Sequence, residues 1–232
     1  MPVSLLRAFV IICITIPFSL IATAGSLVQK SLRIFYWVTR TWPRMVMNVC
    51  NVSLTVRGAE HIQQGTAYVF VANHASMFDI LAVMAGIPGR VNLILKKELT
   101  RVPIWGWGLL VSPYIVIDRS NARKAMQSLE QAEQRIRNGA SVLLFPEGTR
   151  TRDGKMQPFK RGAFSLAARA GAPIVPVTIN GSFRILPKGS FRINSGHIEL
   201  VIHEPILQGT IDEPVLRQKV EDSVKESYRD QS

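Results

Sequence analysis

A chain of 232 residues, 47% of them apolar, can bury one sizeable core, so one domain with an appendage is the expectation. The net charge of +12 calls for an anionic partner, and residues 1–57 hold six Lys or Arg and no Asp or Glu in the most apolar part of the chain. That combination favours a membrane over nucleic acid, for which no zinc-knuckle or aromatic RNA-binding signature is present; Cys13 and Cys50, without ligand-spaced neighbours, argue against a metal site or a disulfide framework.

From Ala8 to Gln29 the chain carries no charge. About 20 apolar residues cross a bilayer as a helix, so this run is just long enough, and Pro17 should kink it. Three readings stay open: a spanning helix, a bent helix dipping into one leaflet, and a signal peptide cleaved near Ala22-Thr-Ala24. Lys30 to Cys50 reads as an amphipathic helix. Lys30, Arg33, Arg40 and Arg44 fall on one face; Phe35, Tyr36, Trp37 and Trp42 suit the headgroup boundary. This is the pattern of a helix lying on anionic lipid, with Pro43 expected to end or bend it. Residues 1–50 are therefore expected to be a helical membrane anchor. If the first run spans, the basic residues after it put the main domain in the cytoplasm.

The pattern becomes globular over residues 51–232. Strands are expected at 52–56, 68–72, 91–95, 114–117, 141–145 and 174–179, with a hairpin formed by 191–194 and 197–203. Helices are expected at 76–85, 121–138, 161–170 and 212–229. The apolar stretch from Leu99 to Val111, with Gly106 and Gly108, suits an apolar groove as well as it suits plain core or membrane contact. Strands alternating with helices imply an α/β fold: a mostly parallel central sheet flanked by helices.

The chemistry centres on Val69-Phe-Val-Ala-Asn-His-Ala-Ser-Met-Phe-Asp-Ile80. An apolar strand ends at Asn73-His74, and a helix opens near Ser76. His74 and Asp79 straddle the turn between them, at the kind of strand end where α/β folds place their sites. An imidazole takes a proton near neutral pH, and a carboxylate on its other nitrogen fixes the tautomer. A His capping a turn and an Asp in a helix's first turn would show the same spacing. Ser76 is a poor nucleophile, two residues from His74 and outside any Gly-x-Ser-x-Gly elbow. His61, His197 and His203 read as ordinary surface residues. Three further clusters sit at strand ends: Lys96-Lys97, Arg119, and Glu147-Gly-Thr-Arg150. In a parallel sheet they gather on one edge with His74. Arg holds phosphate by a planar fork and Lys as a point charge, and Gly148 lets backbone approach a ligand closely.

Asn73-His74-x4-Asp79 together with Phe145-Pro-Glu-Gly-Thr-Arg150 resembles the 1-acyl-sn-glycerol-3-phosphate acyltransferase (lysophosphatidate acyltransferase) family. A third pattern of that family, Lys-x2-Leu-x6-Gly-x12-Arg, fits Lys96, Leu99, Gly106 and Arg119. A fourth, a proline-valine strand, looks like Ala172-Pro-Ile-Val-Pro-Val177. The resemblance covers roughly residues 50 to 205 and departs at Ala75, where members often carry a polar residue. It implies a glycerolipid acyltransferase-like fold and transfer of a fatty acyl group from acyl-CoA or acyl carrier protein to lysophosphatidic acid, giving phosphatidic acid. It also implies a domain held at the cytoplasmic face of the inner membrane, with no cofactor or metal. His74 would be the general base and Asp79 its orienter. Lys96, Arg119, Glu147, Gly148, Thr149 and Arg150 would shape the acceptor site. The alternatives are the same chemistry on another lysolipid or glycerol 3-phosphate, and a non-enzymatic basic module binding an anionic membrane surface.

Overall fold

The computed structural model describes residues 2–28, 32–118, 122–207, 209 and 211–229. In chain order its strands are β1 (Val52–Arg57), β2 (Val69–Ala72), β3 (Val91–Lys96), β4 (Ile115–Ile117), β5 (Ser141–Leu144), β6 (Ile174–Asn180) and β7 (Gly196–Ile202). They form one sheet in the order β1-β7-β6-β2-β5-β3-β4. β6, β2, β5, β3 and β4 are mutually parallel; β7 runs antiparallel to β6, and β1 parallel to β7. Every residue of β2 and β6 is buried. Their near-continuous apolar runs, interrupted in β6 by Thr178 and Asn180, are those of central strands covered on both faces.

The helices are α1 (Pro2–Val28), α2 (Arg33–Val49), α3 (Phe78–Gly86), α4 (Trp105–Leu110), α5 (Ala122–Arg137), α6 (Gly162–Ala170), α7 (Ser182–Ile185) and α8 (Glu213–Ser227). One face of the sheet packs a core that includes Phe35 and Met47 of α2, Phe78 and Leu81 of α3, Leu109 of α4 and Ile185 of α7. The other packs Ala132 and Ile136 of α5, Phe164 and Leu166 of α6, and Leu216, Val220 and Val224 of α8. The chain leaves β2 through α3 toward β3 on the first face, and leaves β5 through α6 toward β6 on the second. The direction of winding thus reverses between β2 and β5, which are neighbours. Open α/β sheets form their ligand crevice at such a switch point, outside the carboxyl ends of the strands.

Two sequence expectations change here. Residues 191–194 do not form a strand. Gly181, at φ 87°, turns β6 into α7, and a Cβ on it would lie 2.1 Å from the His197 carbonyl oxygen. Asn194 then satisfies the end of α7: its backbone N–H donates to the Ile185 carbonyl at 2.9 Å and its side-chain amide to the Arg184 carbonyl at 2.8 Å. β7 therefore pairs with β6 and β1 rather than with a hairpin partner. Pro43 does not end α2, which runs through it to Val49 with Phe35 and Val38 buried before it and Val46 and Met47 after it.

The basic face of α2 is also engaged by protein. Arg40 donates to the carbonyls of Ile87 (3.2 Å) and Gly89 (2.8 Å), and Arg44 to that of Ala85 (3.2 Å). These are the carbonyls at the C-terminal end of α3, where cations complement the helix dipole. Arg33 is exposed, and Lys30 lies outside the described residues. The outward apolar surface belongs instead to α1, the one described helix long and apolar enough to cross a membrane. Leu5, Leu6, Phe9, Ile12, Leu20 and Leu27 are exposed on it. Yet α1 is held along its length by the rest of the fold. Arg7 donates to the Ile193 carbonyl at 2.8 Å, Trp42 to the Thr15 hydroxyl at 3.0 Å, Phe18 stacks on Trp37 at 5.9 Å, and Gly25 meets Ile34.

Candidate active site

β2 delivers His74 through Asn73. The Asn73 side chain donates to the Ile179 carbonyl at 2.9 Å and accepts the Ile179 N–H at 2.7 Å. It thereby continues the pairing with β6 one residue past Ala72 and fixes where the turn begins. Asp79 stands in the first turn of α3 and is fully buried. Its Oδ2 accepts the Ala75 N–H at 2.6 Å, the Ser76 N–H at 2.7 Å and His74 Nδ1 at 2.8 Å. One carboxylate oxygen thus closes the turn and orients the ring. With Nδ1 donating to Asp79, the lone pair of the neutral imidazole is on Nε2. The His74 side chain is 14% exposed and lines the cleft, so that the ring can meet a ligand.

The loop after β5 braces the same histidine. Phe145 stacks on the imidazole with centroids 4.0 Å apart and planes 17° from parallel. Glu147 Oε1 accepts the His74 backbone N–H at 2.6 Å, and Thr151 N–H donates to the His74 carbonyl at 3.0 Å. The second Glu147 oxygen accepts the Gln157 N–H at 3.0 Å. Glu147 is 2% exposed and does not line the cleft. Expected in the acceptor site, it is placed behind the cleft, against the backbone of His74. Burial pushes its carboxyl up to about 7; the two backbone N–H groups oppose that rise, and the nearby Asp79 and Glu221 carboxylates add to it.

In front of His74 lies an open cleft of about 540 Å³, walled by Lys96, Gly148, Thr149, Arg150 and Lys160 together with apolar residues including Ile80, Leu95, Leu99 and Phe145. Gly148 has φ 76°, and a Cβ there would come within 3.0 Å of Lys160 Nζ. Arg150 makes no ion pair among the described residues; Lys96 is exposed and sits 3.4 Å from Glu98. Arg119 lies outside the described residues. Lys160 is a cleft cation that the sequence patterns do not flag: it stands ten residues from Arg150, before α6, where no spacing ties it to the β5 loop. Lys188 was likewise missed. It donates to Thr149 Oγ1 at 2.7 Å and to the Arg150 carbonyl at 3.1 Å, so it holds the loop that carries them.

Met77, Ile80, Leu93, Leu95 and Leu99 also wall a second, almost wholly apolar chamber of about 230 Å³ reaching between α1, α2 and α4. Gly108 lines it, whereas Gly106 serves packing: a Cβ there would meet the Thr100 carbonyl oxygen at 2.2 Å. Ser76 is fully buried, its hydroxyl donating to the Leu186 carbonyl at 2.9 Å and accepting the Phe78 N–H at 3.2 Å, so it braces the turn before α3. The other histidines have structural bonds: His61 to the Ile202 carbonyl, His197 to Ser53 and His203 to Thr178.

A mostly parallel sheet with a His–Asp pair at its switch point, beside a cleft lined by Lys96, Arg150, Lys160 and apolar side chains, defines an α/β protein with a candidate active site. The comparisons make the class specific. Residues 53–180 match the Acyltransferase family, and the chain belongs to that family. It is 35% identical to the chloroplastic 1-acyl-sn-glycerol-3-phosphate acyltransferase of Brassica napus over 159 residues, 68% of this chain and 46% of that protein. It is 35% identical to the human 1-acyl-sn-glycerol-3-phosphate acyltransferase alpha over 183 residues, 77% of this chain and 65% of that protein. The chain thus spans about half to two thirds of the length of these relatives. Its fold matches the crystal structure of the 1-acyl-sn-glycerophosphate (LPA) acyltransferase PlsC from Thermotoga maritima with a TM-score of 0.85 and 27% identity, over 97% of this chain and 92% of that one.

Proposed function

We propose that the chain is a 1-acylglycerol-3-phosphate O-acyltransferase, moving a fatty acyl group from acyl-CoA or acyl carrier protein to lysophosphatidic acid to give phosphatidic acid. The observation that carries this reading is the His74–Asp79 bond at 2.8 Å beside a cleft lined by both cations and apolar side chains. The names of the relatives support the acceptor assignment.

In this reading the acceptor hydroxyl gives its proton to His74 Nε2 as its oxygen attacks the thioester carbonyl, and Asp79 steadies the imidazolium. The tetrahedral centre collapses, the C–S bond breaks, and His74 returns the proton to the departing thiolate. A thioester is already activated, so no acyl-enzyme is needed. Lys96, Arg150 and Lys160 bind the acceptor phosphate, a role also proposed for Arg119 from the sequence pattern alone; Gly148 and Thr149 supply the backbone between. The phosphate contact orients the hydroxyl, turning binding energy into rate. Fatty chains lie along the apolar walls. The exposed face of α1 seats the domain on an anionic membrane, with the cytoplasmic side of the inner membrane as the proposed location.

The test is thioester consumption by purified protein against a panel of lysophosphatidic acid, its dephosphorylated monoacylglycerol, glycerol 3-phosphate and other lysolipids. Turnover should be highest with lysophosphatidic acid. Equal turnover of the monoacylglycerol would remove the phosphate from the reading, and a preference for another lysolipid would change the acceptor while keeping the chemistry.

A further inference from the structure

The segment joining α7 to β7 is unused by the chemistry. Phe191 stands there 95% exposed, more than any other large apolar side chain among the described residues. Residues 181–198 contain Arg184, Lys188 and Arg192 and no Asp or Glu. Lys188 turns to the Thr149–Arg150 loop, while Arg184 and Arg192 are exposed and have no acidic partner among the described residues. The segment is fastened to the start of α1: the Ile193 N–H donates to Ser4 Oγ at 3.2 Å, and Arg7 donates to the Ile193 carbonyl at 2.8 Å. At that end of α1, Leu5, Leu6 and Phe9 are exposed. The apolar surface of α1 therefore continues onto Phe191, rimmed by cations.

We propose that this segment is a second membrane contact, in which Phe191 inserts at the acyl boundary of an anionic bilayer while Arg184 and Arg192 meet the headgroups. An aromatic ring beside cations is the chemistry of the bilayer interface. The segment is built into the catalytic domain rather than the N-terminal helices, and through Lys188 it ties the bilayer contact to the Thr149–Arg150 loop. The inference rests on the membrane seating proposed above for α1.

The test uses the full chain with Cys13→Ser; Cys50 is buried and left in place. A fluorophore is attached in turn at Phe191→Cys, Phe9→Cys on α1 and Val215→Cys on α8, and each protein is reconstituted in vesicles of phosphatidylcholine and phosphatidylglycerol. Positions 191 and 9 should be quenched by lipid-borne quencher and protected from aqueous iodide, and position 215 should behave oppositely. Quenching by lipid at 9 but by iodide at 191 overturns the proposal and leaves the α1 seating standing. Iodide quenching at both overturns the seating itself. Protection at 191 that grows with protein concentration in the absence of lipid would assign the patch to a second copy of the chain and also overturn the proposal. With unlabelled protein, Phe191→Ser should weaken binding to the anionic vesicles about tenfold and leave turnover of a short-chain, monomeric acceptor unchanged; unchanged vesicle binding would count against it.

Discussion

The two loops that meet at the switch point do different work. The turn after β2 carries the proposed base: His74 faces the cleft, and Asp79 sits behind it with one oxygen receiving three donors. The loop after β5 is divided along its own length. Phe145, Glu147 and Thr151 point toward His74 and hold its ring, N–H and carbonyl. Gly148, Thr149 and Arg150 wall the cleft without touching that frame's bonds, and the Phe145 ring serves both sides. The lesson is that a short run, Phe145-Pro-Glu-Gly-Thr-Arg150, supplies both a frame for the proposed base and a wall of the proposed substrate cleft. Neighbouring residues of one loop can therefore lose different things when changed.

Substitutions can break this division one side at a time. The largest effect is expected on the turn after β2. Asp79→Asn should cut kcat by about 10²–10⁴-fold, because an amide offers the imidazole the wrong partner. It should also lower stability by about 1–3 kcal/mol, since the new amide group faces buried N–H donors. Steady-state kinetics and thermal unfolding read the two effects separately.

Next comes the frame. In Glu147→Gln one end of the side chain is an NH2 group, so it can accept from only one of the His74 and Gln157 N–H groups. Loss of a buried acceptor costs about 1–3 kcal/mol, and kcat should fall about tenfold or more with the acceptor KM little changed. pH gives a second readout. The Glu147 carboxyl is raised from 4.5 to about 7, so the folded state holds its proton more tightly than the unfolded chain. Its contribution to stability is full below about 4.5 and is lost as pH rises through about 7. Denaturant midpoints of wild type should show that decline between these values, and those of Glu147→Gln should lack it.

The substrate side should respond differently. Arg150→Lys keeps the charge and loses the fork. It should reduce kcat/KM for lysophosphatidic acid about tenfold, the size of one good charged hydrogen bond. Water hydrolysis of the thioester and the melting temperature should barely move. An equal loss on the dephosphorylated acceptor would return Arg150 to the frame and erase the division. The smallest effect is expected from Phe145→Leu. A ring pair is worth about 0.5–1.5 kcal/mol beyond its burial, so turnover should drop several-fold at most, in kcat rather than KM.

Local pattern was enough for much of this. The apolar runs of β2, β5 and β6 read as strands, and the five-residue step from His74 to Asp79 read as a strand-to-helix turn. What was illegible depends on distant partners. Arg40 and Arg44 read as a lipid-facing stripe because nothing nearby in sequence shows that the carbonyls of Ala85, Ile87 and Gly89 end beside them. Glu147 reads as a substrate contact because a carboxylate beside Gly-Thr-Arg carries no sign that it turns inward to the His74 N–H, 73 positions away. The hairpin at 191–194 failed for the same reason: the pairing of β7 with β6 and β1 lies outside that window.

The most direct test of the account is the turnover of purified His74→Ala with a long-chain thioester and lysophosphatidic acid. Circular dichroism and vesicle binding should match wild type, because the Glu147, Thr151 and Asp79 bonds to this turn's backbone do not use the ring. Turnover should fall by about 10²–10⁴-fold or more, with partial recovery on adding imidazole, which can occupy the vacated space beside Asp79. Near-normal turnover by the same protein would contradict a histidine general base.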